Sequence, residues 1–162
     1  MADLLYFDNN ATTKLAPEAR AALEPFLGEL VGNPSSAHNA GGRILHAVEK
    51  AREQVALMLG CETGEIIFNS GGTEGLNTAI ENALDALPTR KQIIISKVEH
   101  SAVSNVVRPL ARKGYRITEI NVDRFGRLDL AQLNHEVGHE TALIATLWAN
   151  NETGVVAPVA EI

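Results

Sequence analysis

The feature that most constrains this chain is a short apolar run followed by a glycine-rich turn and then by helical periodicity. Residues 65–68 (Glu-Ile-Ile-Phe) form a short, mostly apolar, β-favouring run, and the polar break after it predicts a buried strand. Apolar side chains then recur at the spacing of one helix face: Leu76, Ile80, Ala83, Leu84 and Leu87. The turn between the predicted strand and helix reads Ser70-Gly71-Gly72-Thr73.

Two interpretations fit this turn. Glycine lets the backbone approach a ligand closely, and the free N–H groups at the positive end of a helix favour an anion, so Gly72 and Thr73 predict a phosphate site. The alternative is a tight strand–helix turn in which Ser70 or Thr73 caps the helix. The chain has neither the Gly-Lys-Ser/Thr of a Walker loop nor a spaced Gly-x-Gly-x-x-Gly. A bound phosphate would therefore belong to another class of ligand.

Charge and cysteine content exclude several classes of function. Acidic residues outnumber basic ones by 20 to 14 and no run of Lys or Arg occurs, which argues against nucleic acid or an anionic membrane surface as the main partner. No apolar run approaches the roughly 20 residues of a membrane span, and the N-terminus lacks a signal-peptide pattern, so we expect a cytoplasmic protein. The single cysteine, Cys61, excludes an intrachain disulfide and a cysteine-based metal cluster, and we predict no metal site.

The first part of the chain predicts an arm and two helices. We assign residues 1–15 to an N-terminal arm. Pro17 suits a first helical position, and Pro25 should kink or split that helix. A loop at residues 32–36 precedes a long amphipathic helix that ends before Gly60. Its inward face is predicted to carry Ile44, Leu45, Val48, Ala51, Val55, Met58 and Leu59.

The second part of the chain alternates strands with helices. Three further strands are predicted at residues 92–96, 116–120 and 142–148. Ser101 is predicted to cap a helix that Pro109 kinks and Gly114 stops, and Asp129 to cap a short helix to about Val137. This alternation predicts an α/β fold with a mostly parallel sheet and flanking helices, in which residues 16–162 form part of one large domain.

Polar clusters follow the predicted strands where ligands bind in open α/β sheets, beyond the carboxyl ends. They are Gly72-Thr73, Glu99-His100 and Asn150-Asn151-Glu152. Each has a plainer explanation, because Glu99 and His100 suit a helix start on the surface, and the asparagines suit a turn. Their shared position predicts one cleft with a phosphate site, an imidazole and an amide, which would suit a small phosphorylated aromatic ligand.

Five motifs in order carry a family resemblance. They are Asp8-Asn9-Asn10-Ala11-Thr12-Thr13, Gly32-Asn33-Pro34-Ser35-Ser36-Ala37-His38, Ser70-Gly71-Gly72-Thr73-Glu74, Val98-Glu99-His100 and Asn150-Asn151-Glu152-Thr153-Gly154. Over nearly its whole length the chain resembles the N-terminal part of cysteine desulfurases, pyridoxal-phosphate enzymes of the class V aminotransferase group, and most closely their nitrogen-fixation and iron–sulfur-cluster branch. The resemblance implies the large domain of fold-type I pyridoxal-phosphate enzymes, incomplete here.

The resemblance also implies residue roles. Gly72 and Thr73 would hold the phosphate of pyridoxal 5'-phosphate, His100 would stack on its pyridine face with proton transfer as a second role, and Asn151 would hydrogen-bond its phenolic oxygen. Three residues would lie near the substrate entrance: Ala11, Thr12 and Asn33. Such enzymes convert L-cysteine to L-alanine and a protein persulfide, whose sulfur passes to an acceptor or scaffold protein. The resemblance also implies a homodimer.

The chain departs from the family pattern after the fifth motif. The Asp that pairs with the pyridine nitrogen, the Ser-His-Lys motif that holds the cofactor covalently and the catalytic Cys are not found. Five lysines occur, none of them in that motif: Lys14, Lys50, Lys91, Lys97 and Lys113. We interpret Cys61 as a packing or surface residue. We therefore expect half a cofactor site and an inactive chain. The alternatives are a selenocysteine lyase or other class V relative, or a non-catalytic module that binds a ligand or partner.

Overall fold

A computed structural model describes residues 5–162 of the chain. Its backbone divides into two compact units, one ending at Phe68 and the other beginning at Asn69. The boundary between an arm at residues 1–15 and a domain from residue 16 stays a prediction. None of the helices among the described residues is long and apolar enough to cross a membrane.

The first unit is built from two helices. Helix α1 spans Pro17–Leu23 with Pro17 in its first turn, and a 3₁₀ turn at Glu24–Leu27 follows. The break that Pro25 predicted is confirmed, because proline has no N–H to continue the helical ladder. Helix α2 spans Asn39–Leu59 and ends at Gly60, as predicted. Gly60 has a φ of 70°, a left-handed conformation that glycine adopts without strain.

The predicted inward face of α2 is wrong for three residues. The exposed fractions of Leu45, Met58 and Leu59 are 45%, 76% and 62%, whereas Ala56 is buried. Helical periodicity identifies an apolar face, but burial also requires another element to cover it. Within the first unit, the main element that packs against α2 is a 3₁₀ turn at Thr63–Glu65, which is too short to cover a helix of 21 residues.

The buried strand predicted at residues 65–68 is also wrong. Glu65 closes the 3₁₀ turn, and Ile66 is extended but belongs to no strand. Ile67 and Phe68 are 77% and 49% exposed. The Arg52 guanidinium donates a hydrogen bond to the Ile66 carbonyl and lies 5.0 Å from the centre of the Phe68 ring. A side chain therefore takes a carbonyl that a neighbouring strand would bond in a sheet.

Two adjacent glycines of α2 give a matched pair for a stability test. A Cβ on Gly41 would lie 2.6 Å from the Asn33 carbonyl oxygen and as close to the Ser36 carbonyl, whereas a Cβ on Gly42 meets nothing within 4 Å. We expect Gly41→Ala to destabilise the fold by about 1–3 kcal/mol through this backbone clash. Gly42→Ala should stabilise it by about 0.5–1 kcal/mol, since alanine is the better helix former. Urea unfolding checks both signs, and equal effects would contradict the packing of residues 33–36 on α2.

The second unit contains a parallel sheet with helices. In chain order its elements are α3 at Gly72–Ala86, β1 at Gln92–Ser96, α4 at Ser101–Val107 with a 3₁₀ turn at Arg108–Lys113, β2 at Arg116–Ile120, α5 at Leu130–Glu136 and β3 at Thr141–Ala145. The strand order is β2-β1-β3 and both pairings are parallel. The predicted α/β fold with a parallel sheet and flanking helices is confirmed. The third strand is shorter than the predicted 142–148.

Strand β1 is central and buried on both faces. Ile93 and Ile95 pack in one cluster with residues of α3 and α4, and Ile94 packs in a second cluster with Ile120 and Leu133 of α5. Successive side chains of a strand point to opposite faces, so a continuous Ile-Ile-Ile run suits a strand covered on both sides. The connections β1 to β2 and β2 to β3 run in opposite directions along the sheet. Right-handed crossovers then place α4 and α5 on opposite faces.

Candidate functional site

The start of helix α3 lacks a side-chain cap. Gly71 is the N-cap residue, with a φ of 156° that favours glycine, and it provides no side chain to cap the first N–H groups of the helix. The alternative in which Ser70 or Thr73 caps the helix is therefore wrong. A Cβ on Gly72 would meet nothing within 4 Å, so the space beside this helix start is open. Free N–H groups at the positive end of a 15-residue helix can bind an anion.

Glu74 takes a structural role in the same turn. Its carboxylate accepts hydrogen bonds from the Ser70 N–H, at 2.8 Å, and from the Ser70 hydroxyl. These bonds hold the pKa of the Glu74 carboxyl below its ordinary value. The negative charge of Glu74 is favourable in the first turn of a helix, and its carboxylate is hydrogen-bonded to Ser70.

His100, rather than Ser101, caps helix α4. The Ala102 N–H donates to His100 Nδ1 at 3.1 Å, and His100 keeps an extended backbone while Ser101 is already helical. The prediction that Ser101 caps this helix is wrong, because an imidazole nitrogen accepts the bond instead. With Nδ1 as acceptor, the neutral ring carries its proton on Nε2. His100 thus has a capping role, and its side chain is exposed.

Asn150 organises the turn that carries Asn151. Its side-chain oxygen accepts from the N–H groups of Glu152 and Thr153, both at 2.9 Å, and Gly154 closes the turn with a φ of 72°. The predicted turn is confirmed. Asn151 lies exposed in this turn.

The segments that follow β1 and β3 lie side by side. Asn150 Nδ2 donates to the Val98 carbonyl at 3.5 Å, and the Leu147 N–H donates to a Glu99 carboxylate oxygen at 2.7 Å. The structure therefore brings together the segment that carries His100 and the segment that carries Asn151. Helix α3, which begins at Gly72, packs against α4 and β3. A single cleft formed by Gly72, Thr73, His100 and Asn151 stays a prediction.

A cavity that the sequence analysis did not anticipate lies at the same edge of the sheet. Its volume is about 680 Å³, and its lining includes a residue at or just beyond the end of each strand: Ser96, Asn121 and Thr146. Asn150 also lines it, whereas Gly72, Thr73, His100 and Asn151 do not. The strand-end rule applied to β2 would have found Asn121 and Asp123, the first and third residues after that strand.

The residues predicted near the substrate entrance belong to the first unit. The N–H groups of Ala11 and Thr12 donate to the Asp8 carbonyl at 3.1 and 3.4 Å, which forms a turn. The Asn33 side-chain oxygen accepts from the Ser35 N–H at 2.9 Å and shapes its own loop. Their role near a substrate stays a prediction. Within residues 5–162, no group of three or more His, Cys, Asp or Glu side chains is arranged to hold a metal ion.

A parallel sheet with helices on both faces and ligand-binding groups beyond its strand ends is the architecture of many α/β enzymes. The chain belongs to the aminotransferase class-V family, whose model matches residues 5–162. Cysteine desulfurase 2 of Trichormus variabilis is 50% identical over 159 residues, which are 98% of this chain and 40% of that protein.

Two solved structures resemble the fold. One, described as a NifS-like protein, has a TM-score of 0.90 and 36% identity, and the match covers 96% of this chain and 43% of that one. The other, described as SspA in complex with cysteine, has a TM-score of 0.88 and 32% identity over 97% of this chain and 46% of that one. The chain thus spans less than half the length of these relatives.

Proposed function

We propose that this chain is the N-terminal portion of a cysteine desulfurase, an enzyme that converts L-cysteine and a protein thiol to L-alanine and a protein persulfide. The observation that carries the proposal is 50% identity to a cysteine desulfurase over 98% of the chain. The structural relative in complex with cysteine supports L-cysteine as the substrate. We further propose a cytoplasmic homodimer that passes sulfur to an acceptor or scaffold protein for iron–sulfur cluster assembly.

The start of α3 fits the phosphate of pyridoxal 5'-phosphate. The helix has no side-chain cap, and open space lies beside Gly72, so the first N–H groups and the Thr73 hydroxyl are the groups that would hold the phosphate. When bound, this cofactor acts as an electron sink that permits cleavage of the substrate's carbon–sulfur bond. The residues of this chain would bind the cofactor and orient it.

His100 and Asn151 are the proposed partners of the cofactor ring. The bond from the Ala102 N–H to Nδ1 fixes the orientation of the His100 imidazole, which suits a ring that stacks on a flat ligand. Its Nε2 remains available to move a proton to or from the substrate. Asn151 would donate to the phenolic oxygen from the turn that Asn150 builds.

A chimera tests the activity. In it, this chain replaces the matching N-terminal part of the Trichormus variabilis enzyme, and alanine release from L-cysteine is measured with a thiol acceptor. We expect turnover, because half of the residues aligned with that enzyme are identical and a solved NifS-like relative has the same fold. A folded chimera that holds the cofactor but releases no alanine would contradict the proposed function.

The phosphate site is tested by Thr73→Ala in the same chimera. We expect pyridoxal phosphate to bind more weakly by about 1–2 kcal/mol, the scale of one hydrogen bond to a charged group. Titration of the cofactor-free protein measures the change. Thr78→Ala, an exposed position of the same helix, is the matched control and should leave the affinity unchanged. Equal affinities for the two variants would argue against a phosphate at Thr73.

A further inference from the structure

Glu99 joins the carboxyl ends of β1 and β3. One oxygen of its carboxylate, Oε1, accepts from the Ser96 hydroxyl at 2.7 Å and from the Leu147 N–H at 2.7 Å. Ser96 is the last residue of β1, and Leu147 lies two residues past the end of β3. The Glu99 side chain is half-buried. A partly buried carboxylate is tolerated when donors satisfy it, and this one satisfies groups on both segments.

The hydrogen bond from Leu147 to Glu99 replaces a backbone hydrogen bond between β1 and β3. The parallel pairing of β1 with β3 ends at Ile95 and Ala145, so the Leu147 N–H has no partner in the ladder. On the other side of β1 the backbone ladder continues, because the Lys97 N–H donates to the Ile120 carbonyl at 3.0 Å. The two strands β1 and β3 therefore separate at their carboxyl ends, and the Glu99 side chain bridges the separation.

The bridge joins the two segments that carry the residues proposed to contact the cofactor ring. His100 directly follows Glu99, and Asn151 lies four residues after Leu147. A second hydrogen bond between these segments joins Asn150 Nδ2 to the Val98 carbonyl at 3.5 Å, the upper limit for such a bond. The hydrogen bond between Leu147 and the Glu99 carboxylate is shorter and charge-assisted, so it is the stronger of these two contacts.

We propose that Glu99 is a positioning residue, whose carboxylate sets the spacing between the segments that carry His100 and Asn151. The effect of this spacing on cofactor binding rests on the proposed function, since His100 and Asn151 are the proposed contacts to the cofactor ring. The bridge itself requires no ligand. Local sequence patterns suit Glu99 to a surface position at a helix start, and they carry no signal of its contact with a residue 48 positions away.

The bridge is tested in the 162-residue chain by NMR. In Glu99→Ala we expect hydrogen exchange of the Leu147 amide to accelerate about tenfold or more, the factor for loss of a hydrogen bond to a charged group. The side-chain signals of His100 and Asn151 should shift together. Glu99→Gln keeps an acceptor oxygen, so it should restore the slow exchange of the Leu147 amide and the original His100 and Asn151 signals. Glu81→Ala, which removes the same charge from an exposed position of α3, should change neither.

Two results would overturn the inference. Unchanged Leu147 exchange would show that the bridge is not formed, and faster exchange with unmoved His100 and Asn151 signals would show a local structural role only. The chimera then tests the consequence for the ligand: Glu99→Ala should shift the absorbance of bound pyridoxal phosphate and lower kcat/KM for L-cysteine at least tenfold, with rescue by Glu99→Gln. An inactive parent chimera would instead contradict the proposed function, and the NMR result would still decide the bridge.

Discussion

The 162-residue chain alone is expected to release no alanine from L-cysteine and pyridoxal phosphate beyond the slow reaction of the free cofactor. The chimera with the remainder of the Trichormus variabilis enzyme is expected to turn over. The difference is due to the groups that each polypeptide supplies. This chain supplies the proposed phosphate and ring contacts, whereas none of its five lysines lies in the motif that would hold the cofactor covalently.

The environments of the lysines in the second unit agree with this expectation. Lys97 is the lysine next to a strand end, and its Nζ donates to the Asn121 side-chain oxygen at 2.6 Å. Lys91 stacks on the Tyr115 ring, with its Nζ 4.5 Å from the ring centre. Both side chains are exposed, and neither lies in the cavity that carries Asn121 and Ser96. A Schiff-base lysine needs a site that holds its amine against the cofactor.

Cys61 is an unsuitable nucleophile by position. It directly follows Gly60 at the end of α2, and its N–H donates to the Ala56 carbonyl at 3.0 Å. Its thiol is partly buried in the first unit, and no basic group is in hydrogen-bond contact with it among the described residues. This agrees with the interpretation of Cys61 as a packing or surface residue.

Alanine release measured side by side checks the expectation. In the chimera, His100→Ala should lower turnover by about 10²–10⁴-fold, the range for loss of a positioned acid–base group, while the cofactor-free fold stays intact by circular dichroism. In the isolated chain, the same substitution should change nothing. Alanine release by the isolated chain that depends on His100 or on Cys61 would show that a residue assigned to structure is catalytic.

Local signals predicted most element ends correctly. Pro25, Gly60 and Gly114 stop or break helices because each imposes a backbone property that no tertiary contact has to supply. Asp129 caps α5 as predicted, since its carboxylate reaches the Gln132 N–H at 2.9 Å. The run Ile93-Ile94-Ile95 predicted a strand covered on both faces, and both covering layers are present.

The errors arise where a non-local partner decides the outcome. Residues 65–68 have the composition of a strand, but no strand pairs with them and Arg52 takes the Ile66 carbonyl. Met58 and Leu59 continue the apolar periodicity of α2 but lie where nothing in their unit covers them. At the candidate site, the strand-end rule predicted where polar residues collect. It could not predict that Glu99 reaches Leu147 across the sheet.

The largest stability effect is expected from Ile94→Ala. Ile94 has no exposed surface and packs with Ile120 and Leu133 between the sheet and α5. Removal of its branched side chain leaves a cavity that the surrounding strands cannot fill without breaking their pairing. We expect a loss of about 2–5 kcal/mol in the free energy of unfolding. Urea unfolding followed by the fluorescence of Trp148, the single tryptophan, measures it in the second unit.

Val156→Ala, in the same unit, is the control, because it shortens a branched aliphatic side chain that is 64% exposed. Its cost should stay within about 0.5 kcal/mol, as for surface substitutions in general. The more conservative Ile94→Val should fall between the two at about 0.5–1.5 kcal/mol, which keeps the comparison measurable if Ile94→Ala does not fold. A graded series would show that β1 is packed on the α5 face as described. Equal midpoints for Ile94→Ala and Val156→Ala would mean that α5 does not cover the sheet in solution.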